Sequence, residues 1–300
     1  MKAPILCVGE VLWDAMPAGL FLGGAPHNVA RHLHRLGQPV VLVSRVGDDV
    51  LGHEARRRLD ADGLDTDGLD TDLVQIDPNL PTGFVRVAVD ANGLPEYEIV
   101  QPAAWDAIAL TEDLREAATE AQAVVFGSLA QRDEPSRRTV QALAAAAPFA
   151  VFDVNLRPPF VDRDVVRASL EIADCVKLNE DELDALRRWF GGGRSIRTSV
   201  EALAESFGCR IVCVTRSERG AALWHEGRWH EHPGYPVTTR DTVGAGDAFL
   251  AALLAGVLTD HKDEVALDLA CRLGAFVASR SGAVPDYTAD ALDEILDLSG

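Results

Sequence analysis

The residues best suited to chemistry stand together in Asp241–Leu258, DTVGAGDAFLAALLAGVL. A carboxylate, Asp247, follows directly on the turn Gly244-Ala245-Gly246. Phe249, Leu250, Leu253, Leu254, Val257 and Leu258 then recur at helical spacing. The first turn of such a helix leaves backbone N–H groups unpaired at the positive end of its dipole. Two glycines let that backbone curl until several N–H groups converge on one anion, a phosphate or a developing oxyanion. An acid beside an anion hole can move a phosphoryl group onto a hydroxyl, because it accepts the proton while the amides hold the charge. Two other readings of the glycines fail. A dinucleotide fingerprint needs G-x-G-x-x-G, and Phe249 occupies the third position; a Walker-type loop needs G-K-[ST], and Asp247 follows Gly246. On this segment alone a blander reading stays open, with Asp247 as an ordinary first-turn acid of a buried helix.

The elements that must position this segment alternate. Pro4–Gly9, Pro39–Val43, Ala123–Phe126, Phe149–Val154, Cys175–Leu178 and Arg210–Thr215 read as buried strands. Pro26–Leu36 reads as a helix with Gly37 past its end, and further helices fall near Thr111–Ala121, Ser136–Ala146, Asp162–Ala173 and Glu180–Trp189. Another starts near Thr198, with Glu201 completing a capping-box pattern. This order predicts an α/β fold with a mainly parallel central sheet covered on both faces. Thr82–Val100 breaks the pattern, alternating through Val85, Val87 and Val89 and turning at Asn92-Gly93. With the extended segment Leu12–Leu22, it is expected to form a small accessory sheet over one end of the main domain.

Composition narrows the partners. The chain has 300 residues, 47% hydrophobic, and a formal charge of −19 from 47 acids and 28 bases. That charge argues against nucleic acid or an anionic membrane as partner. A phosphate site here must make its positive potential locally. No run approaches the roughly 18 apolar residues of a membrane span, and the N-terminus reads as a strand, so the expected location is the cytoplasm. Cys7, Cys175, Cys209, Cys213 and Cys271 read as reduced core thiols. No second Cys or His pair supports zinc, and His230 and His232 are read as surface or structural residues of a strand. The acidic run Asp60–Asp72 is not a calcium loop, because Gly63 and Val74 stand where acids are needed. It reads as a solvated helix end and turn.

Two separated signatures, GGAPHNVARHLHRLG (Gly23–Gly37) and DTVGAGDAF (Asp241–Phe249), resemble those of the ribokinase-like (PfkB-type) carbohydrate kinases, especially bacterial fructokinases. The pieces GEVLWD (Gly9–Asp14), RVGDDVLG (Arg45–Gly52), DVNLRPPF (Asp153–Phe160), KLNEDE (Lys177–Glu182) and VTRSERGA (Val214–Ala221) follow in the family's order. The likeness runs from about Ile5 to Pro285. It implies a ribokinase-like three-layer sandwich over residues 1–300, a single kinase domain with a discontinuous β lid from about 12–22 and 82–101. It further implies an ATP-dependent kinase, a phosphotransferase with an alcohol acceptor, which phosphorylates a primary hydroxyl of a sugar; fructose is the first expectation. Ribose or 2-keto-3-deoxygluconate are alternatives, as is a catalytically silent binding protein of the same fold.

By the same resemblance Asp247 is the base, and the amides of Gly244, Ala245 and Gly246 stabilise the transferring phosphate. Arg157 is expected to reach substrate or phosphate. Asp14, Gly23, Gly24 and Asn28 match sugar-binding positions, with Phe84 covering the sugar from the lid. Asn179, Thr215, Ser217 and Gly220 match the nucleotide site. Glu182 corresponds to the acid that organises Mg2+ through waters, and Asp241 to a monovalent-cation site for K+. A homodimer through the lid is a further implication. The chain departs from the fructokinase pattern at His27, where a small residue is usual, at Phe160, where Trp is usual, and at Ser217, where Gly is usual.

Overall fold

Short apolar runs separated by amphipathic segments give strands and helices in alternation. The computed structural model describes residues 2–16, 19–61, 70–89, 95–259 and 261–288. In chain order the strands are β1 (Ile5–Val8), β2 (Leu12–Met16), β3 (Gly19–Gly23), β4 (Val40–Gly47), β5 (Val74–Asp77), β6 (Gly83–Val89), β7 (Pro95–Ile99), β8 (Ala123–Gly127), β9 (Ala150–Asp153), β10 (Cys175–Asn179), β11 (Ile211–Thr215), β12 (Ala221–His225) and β13 (Arg228–His232). The helices are α1 (Ala25–Arg35), α2 (Val50–Ala61), α3 (Glu112–Glu120), α4 (Glu134–Ala146), α5 (Arg163–Ile172), α6 (Glu180–Phe190), α7 (Ile196–Phe207), α8 (Ala245–Val257) and α9 (Asp263–Ala278).

Nine strands form one sheet in the order β13-β12-β11-β10-β9-β8-β1-β4-β5, parallel from β5 to β11 and antiparallel through β12 and β13. Successive side chains of a strand point to opposite faces. Ile5 and Cys7 therefore pack into one core layer with residues of α1, α8 and α9, while Leu6 and Val8 pack into the other with residues of α3 to α7. Both faces are covered, and the architecture is the expected three-layer α/β sandwich. No described helix is long and apolar enough to cross a membrane. All five cysteines are buried and free.

Local signals set most helix starts. Thr111 caps α3 by accepting from Leu114 N at 3.3 Å, and Asp162 caps α5 by accepting from Asp164 N at 2.8 Å. One start is displaced from expectation. Helix α7 begins at Ile196, two positions before Thr198, because Ser195 is its N-cap and Thr198 is the N3 residue that answers it.

The smaller sheet has the order β3-β2-β6-β7. The segment expected to run extended from Leu12 to Leu22 is two antiparallel strands, and their connection at 17–18 lies outside the described residues. So do the Asn92-Gly93 turn and positions 62–69 of the acidic run. Asp14 pairs in register with Phe21 and Val85, which puts all three on one face.

A buried cluster joins the two sheets' surroundings. Arg132 donates to Asp106 Oδ1 at 2.7 Å and to Oδ2 at 2.8 Å, with both side chains almost wholly buried. Its guanidinium lies 3.9 Å from the Trp105 ring centre and 4.5 Å from that of Phe160. Phe160 thus serves as one wall of a cation sandwich. Removing one partner of a buried pair strands the other charge. Arg132→Met is expected to cost about 3–5 kcal/mol in a urea melt; a loss within about 1 kcal/mol would show that Asp106 is relieved by water or protonation.

Candidate active site

The N-termini of α1 and α8 open onto one cleft of about 1960 Å³. At α8, Gly244 is the N-cap in the left-handed region (φ 77°), and a Cβ there would lie 2.6 Å from Ala283 Cα. Only glycine meets both conditions. Asp247 follows in the first turn, 9% exposed. At α1, Gly24 holds φ 113° and Asn28 sits in the first turns, 5% exposed. The two ends meet: Asn28 Nδ2 donates to Asp247 Oδ2 at 2.8 Å.

The floor of the cleft holds a cation that the motif reading did not single out. Lys177, on β10, donates to Asp153 Oδ1 at 3.1 Å and to Oδ2 at 3.3 Å. A Cβ placed on Gly246 would lie 2.9 Å from its Nζ, so the ammonium stands against the anion loop. A signal existed: Lys177 is one of three lysines and the only one flanked by strand residues, in CVKLN. Burial opposes the charge, but Asp153, Glu182 and Asp247 outweigh it and raise the pKa, so Lys177 stays protonated.

Acids around it respond in the opposite sense. Burial raises Asp247 to about 6, with Asp153 adding to the rise and Lys177, Asn28 and Arg157 opposing it. Asp14 is likewise raised to about 6 by burial, against the pull of Arg157. Glu10, also not singled out from sequence, is raised to about 7 by burial. Its Oε1 accepts from Ala25 N at 3.3 Å, and its buried Oε2 has no partner among the described residues. The exposed Arg157 stands at the cleft wall among these three acids.

Asn179, Thr215, Ser217 and Gly220 line the opposite wall. Ser217 adopts φ 52°, the left-handed conformation expected of the glycine it replaces. Three expected site residues do not line the cleft. Phe84 pairs with Trp13, one place out of register with Asp14, so it turns to the other face of the small sheet and packs on the core; Val85 takes the cleft side. Gly23 backs the Asp14 carboxylate, whose Oδ2 occupies the space a side chain would need. Glu182 accepts from Asn179 N at 2.8 Å and from Leu156 N at 2.9 Å, so both its oxygens fasten backbone. Asp241 lines the cleft while accepting from Val243 N at 3.0 Å and Gly282 N at 3.2 Å.

Among the described residues no group of three or more His, Cys, Asp or Glu could hold a metal ion. The histidines read as structural pair with acids of α9 instead: His230 with Asp263 at 3.1 Å and His232 with Asp268 at 3.2 Å.

An α/β sandwich with a helix N-terminus, an acid and a buried ammonium around one anion site belongs to the phosphoryl-handling class. Residues 9–289 match the family described as pfkB family carbohydrate kinase, and the chain belongs to that family. It is 32% identical over 304 residues to a fructokinase of Klebsiella pneumoniae, covering 95% of this chain and 96% of that one. Among solved structures, an uncharacterized sugar kinase from Pyrococcus horikoshii superposes with a TM-score of 0.77 at 28% identity, covering 98% and 96% of the two chains. Fructokinase from Vibrio cholerae, bound to fructose, ADP and calcium, shares the fold at a TM-score of 0.81 and 24% identity, covering 98% and 99%. The protein is a phosphotransferase, a sugar kinase.

The Lys177–Gly246 contact is testable. A methyl group on Gly246 would displace the ammonium or the loop. Gly246→Ala is expected to lower kcat roughly 10²-fold while shifting the melting midpoint by no more than about 5 °C. An unchanged kcat would remove this contact from the chemistry.

Proposed function

We propose that the enzyme transfers the γ-phosphoryl group of ATP to a primary hydroxyl of fructose, with Asp247 accepting the hydroxyl proton. The observation that carries this reading is the Asn28–Asp247 hydrogen bond, which sets the acid between the sugar-side helix and the anion loop. Asp14 and Asn28 bind sugar hydroxyls, since a carboxylate and an amide suit a polyol. Gly24 and Gly23 shape the turn beneath it. The amides of Gly244, Ala245 and Gly246 hold the transferring phosphoryl oxygens, each such donor contributing about 3 kcal/mol. Lys177 backs that loop, and Arg157 neutralises charge from the opposite wall. A loose transition state places little charge on the attacking oxygen, so a base raised only to about 6 suffices.

ATP lies along Asn179, Thr215, Ser217 and Gly220. A magnesium ion fits this site only if triphosphate oxygens and waters supply most ligands, as the ion prefers, because Glu182 is occupied by backbone. When bound, the ion neutralises phosphate charge; Glu182 contributes by holding Asn179 and Leu156 in place. A potassium ion at Asp241 would share its oxygens with Val243 and Gly282. The small sheet acts as a lid that excludes water as a competing acceptor. A homodimer through this lid accords with Leu20 and Phe21, 44% and 47% exposed on its edge strand β3. Five unpaired buried cysteines accord with a cytoplasmic setting.

ATP turnover over a sugar panel is expected to peak with fructose. A peak with ribose would replace the substrate, and no turnover with any sugar would favour a silent binding protein. Asp247→Asn is expected to lose roughly 10³–10⁴-fold in kcat with KM for ATP nearly unchanged. Turnover equal to the parent would dismiss Asp247 as base.

The base works only when ionised, so activity rises with pH through its pKa. Asp247 and Asp14 near 6 and Glu10 near 7 titrate together beside Arg157, with Asp153 and Lys177 also acting on Asp247. Below this window kcat/KM is expected to fall about tenfold per pH unit. Glu10→Gln is expected to leave only the titrations near 6; a profile flat down to pH 5 would show that the base is not raised to about 6.

A further inference from the structure

His27 stands beside Asn28 in the first turns of α1, and none of the roles above uses it. Its ring is 2% exposed, and its Nδ1 lies 3.3 Å from Asn28 Oδ1. An amide oxygen only accepts, so Nδ1 carries the ring proton. Asn28 then presents its Nδ2 to Asp247 Oδ2 at 2.8 Å. The three side chains form one directed series of donors that ends on a single oxygen of Asp247.

We infer that His27 is a positioning residue: its Nδ1–H holds the Asn28 amide with the NH2 end toward Asp247, which occupies Oδ2 and leaves Oδ1 to take the sugar proton. The inference rests on reading Asp247 as the base. Without a donor at Nδ1 the amide is free to turn over, and the reversed amide would set its oxygen against a buried carboxylate. The opposite His27 tautomer is worse on two counts. It would place a lone pair against Asn28 Oδ1, and it would strand an N–H at Nε2, which is buried without a partner among the described residues.

The donor is also constant with pH. Burial, aided by the charge of Arg31, holds the ring far below its ordinary pKa, at about 3, against the opposing bond to Asn28. The ring is neutral wherever Asp247 titrates. A side chain that merely filled this space would need neither a fixed tautomer nor a partner on Asn28.

The hydrogen bond from Asn28 favours the ionised form of Asp247, so weakening it raises the acid's pKa. In protein labelled with 13C at aspartate carboxyls, His27→Leu is expected to raise the Asp247 titration midpoint by about one pH unit. His27→Asn, which keeps an N–H near the Nδ1 position, is expected to restore the parent value. Kinetically, His27→Leu is expected to lower kcat at pH 6 about fivefold with KM for ATP unchanged. An Asp247 midpoint unmoved in His27→Leu would overturn the inference. So would a 15N spectrum of the wild-type protein showing the proton on Nε2 of His27, a measurement that needs no variant to fold. Neither spectrum needs turnover. If the wild type phosphorylates no sugar while the midpoint still moves, the kinase reading fails and the positioning role stands. If fructose is phosphorylated while the midpoint stays, the reverse holds.

Discussion

The hydrogen bond between Asn28 and Asp247 joins residues 219 apart in sequence, and the site depends on it. Each belongs to the first turn or turns of a helix whose N-terminus opens onto the cleft. Around them, Glu10, Asn155, Asn179 and Thr215 lie at or just beyond the carboxyl ends of β1, β9, β10 and β11 and line the same cleft. That is where an open parallel sheet places its ligands. The sheet gathers residues from distant segments, and the two helix ends are joined directly through Asn28 and Asp247.

Electrostatically the site inverts the character of the chain. A protein with a formal charge of −19 binds a polyanion only if it builds a local positive field. Lys177 provides one from beneath, held by Asp153 and close enough to Gly246 to exclude a methyl group. The pair is costly to bury, and its attraction does not make it a net stabiliser. Its persistence in a core position is better explained by what it does to its neighbours. Lys177 draws the Asp247 pKa down while burial and Asp153 push it up, and the balance leaves a carboxylate that is ionised near neutral pH.

How far this was legible in sequence depended on the range of the interaction. The glycine turn and Asp247 were readable because a cap and the turn after it are local. Capped helices were also readable: Thr111 and Asp162 mark α3 and α5. Helix α9 was not singled out, because Lys262 gives it no side-chain cap and apolar residues run round much of its surface. Helix α7 was placed late, because Thr198 resembles a cap while acting as the N3 partner of Ser195. The orientation of Phe84 needed the register of β6 against β2, and a shift of one residue reverses a side chain's face. Glu10 and Lys177 carry no motif of their own. Their importance comes from burial beside Asp247, which only the folded chain creates.

The anion loop is held from its far side as well. Ala283 packs against the backbone of Gly244, closely enough to forbid a side chain there. Its own carbonyl accepts from His32 Nε2 at 3.0 Å, which leaves His32 Nδ1 to accept from Tyr287 O–H at 2.7 Å. Burial keeps that ring neutral, with its pKa lowered to about 4, so both bonds persist through the working pH range. Asp241 closes the circuit by binding Val243 N and Gly282 N together. Helix α1 thus braces the loop twice, once directly through Asn28 and once through His32 and the segment after α9. It follows that the curvature of the loop is held by tertiary packing.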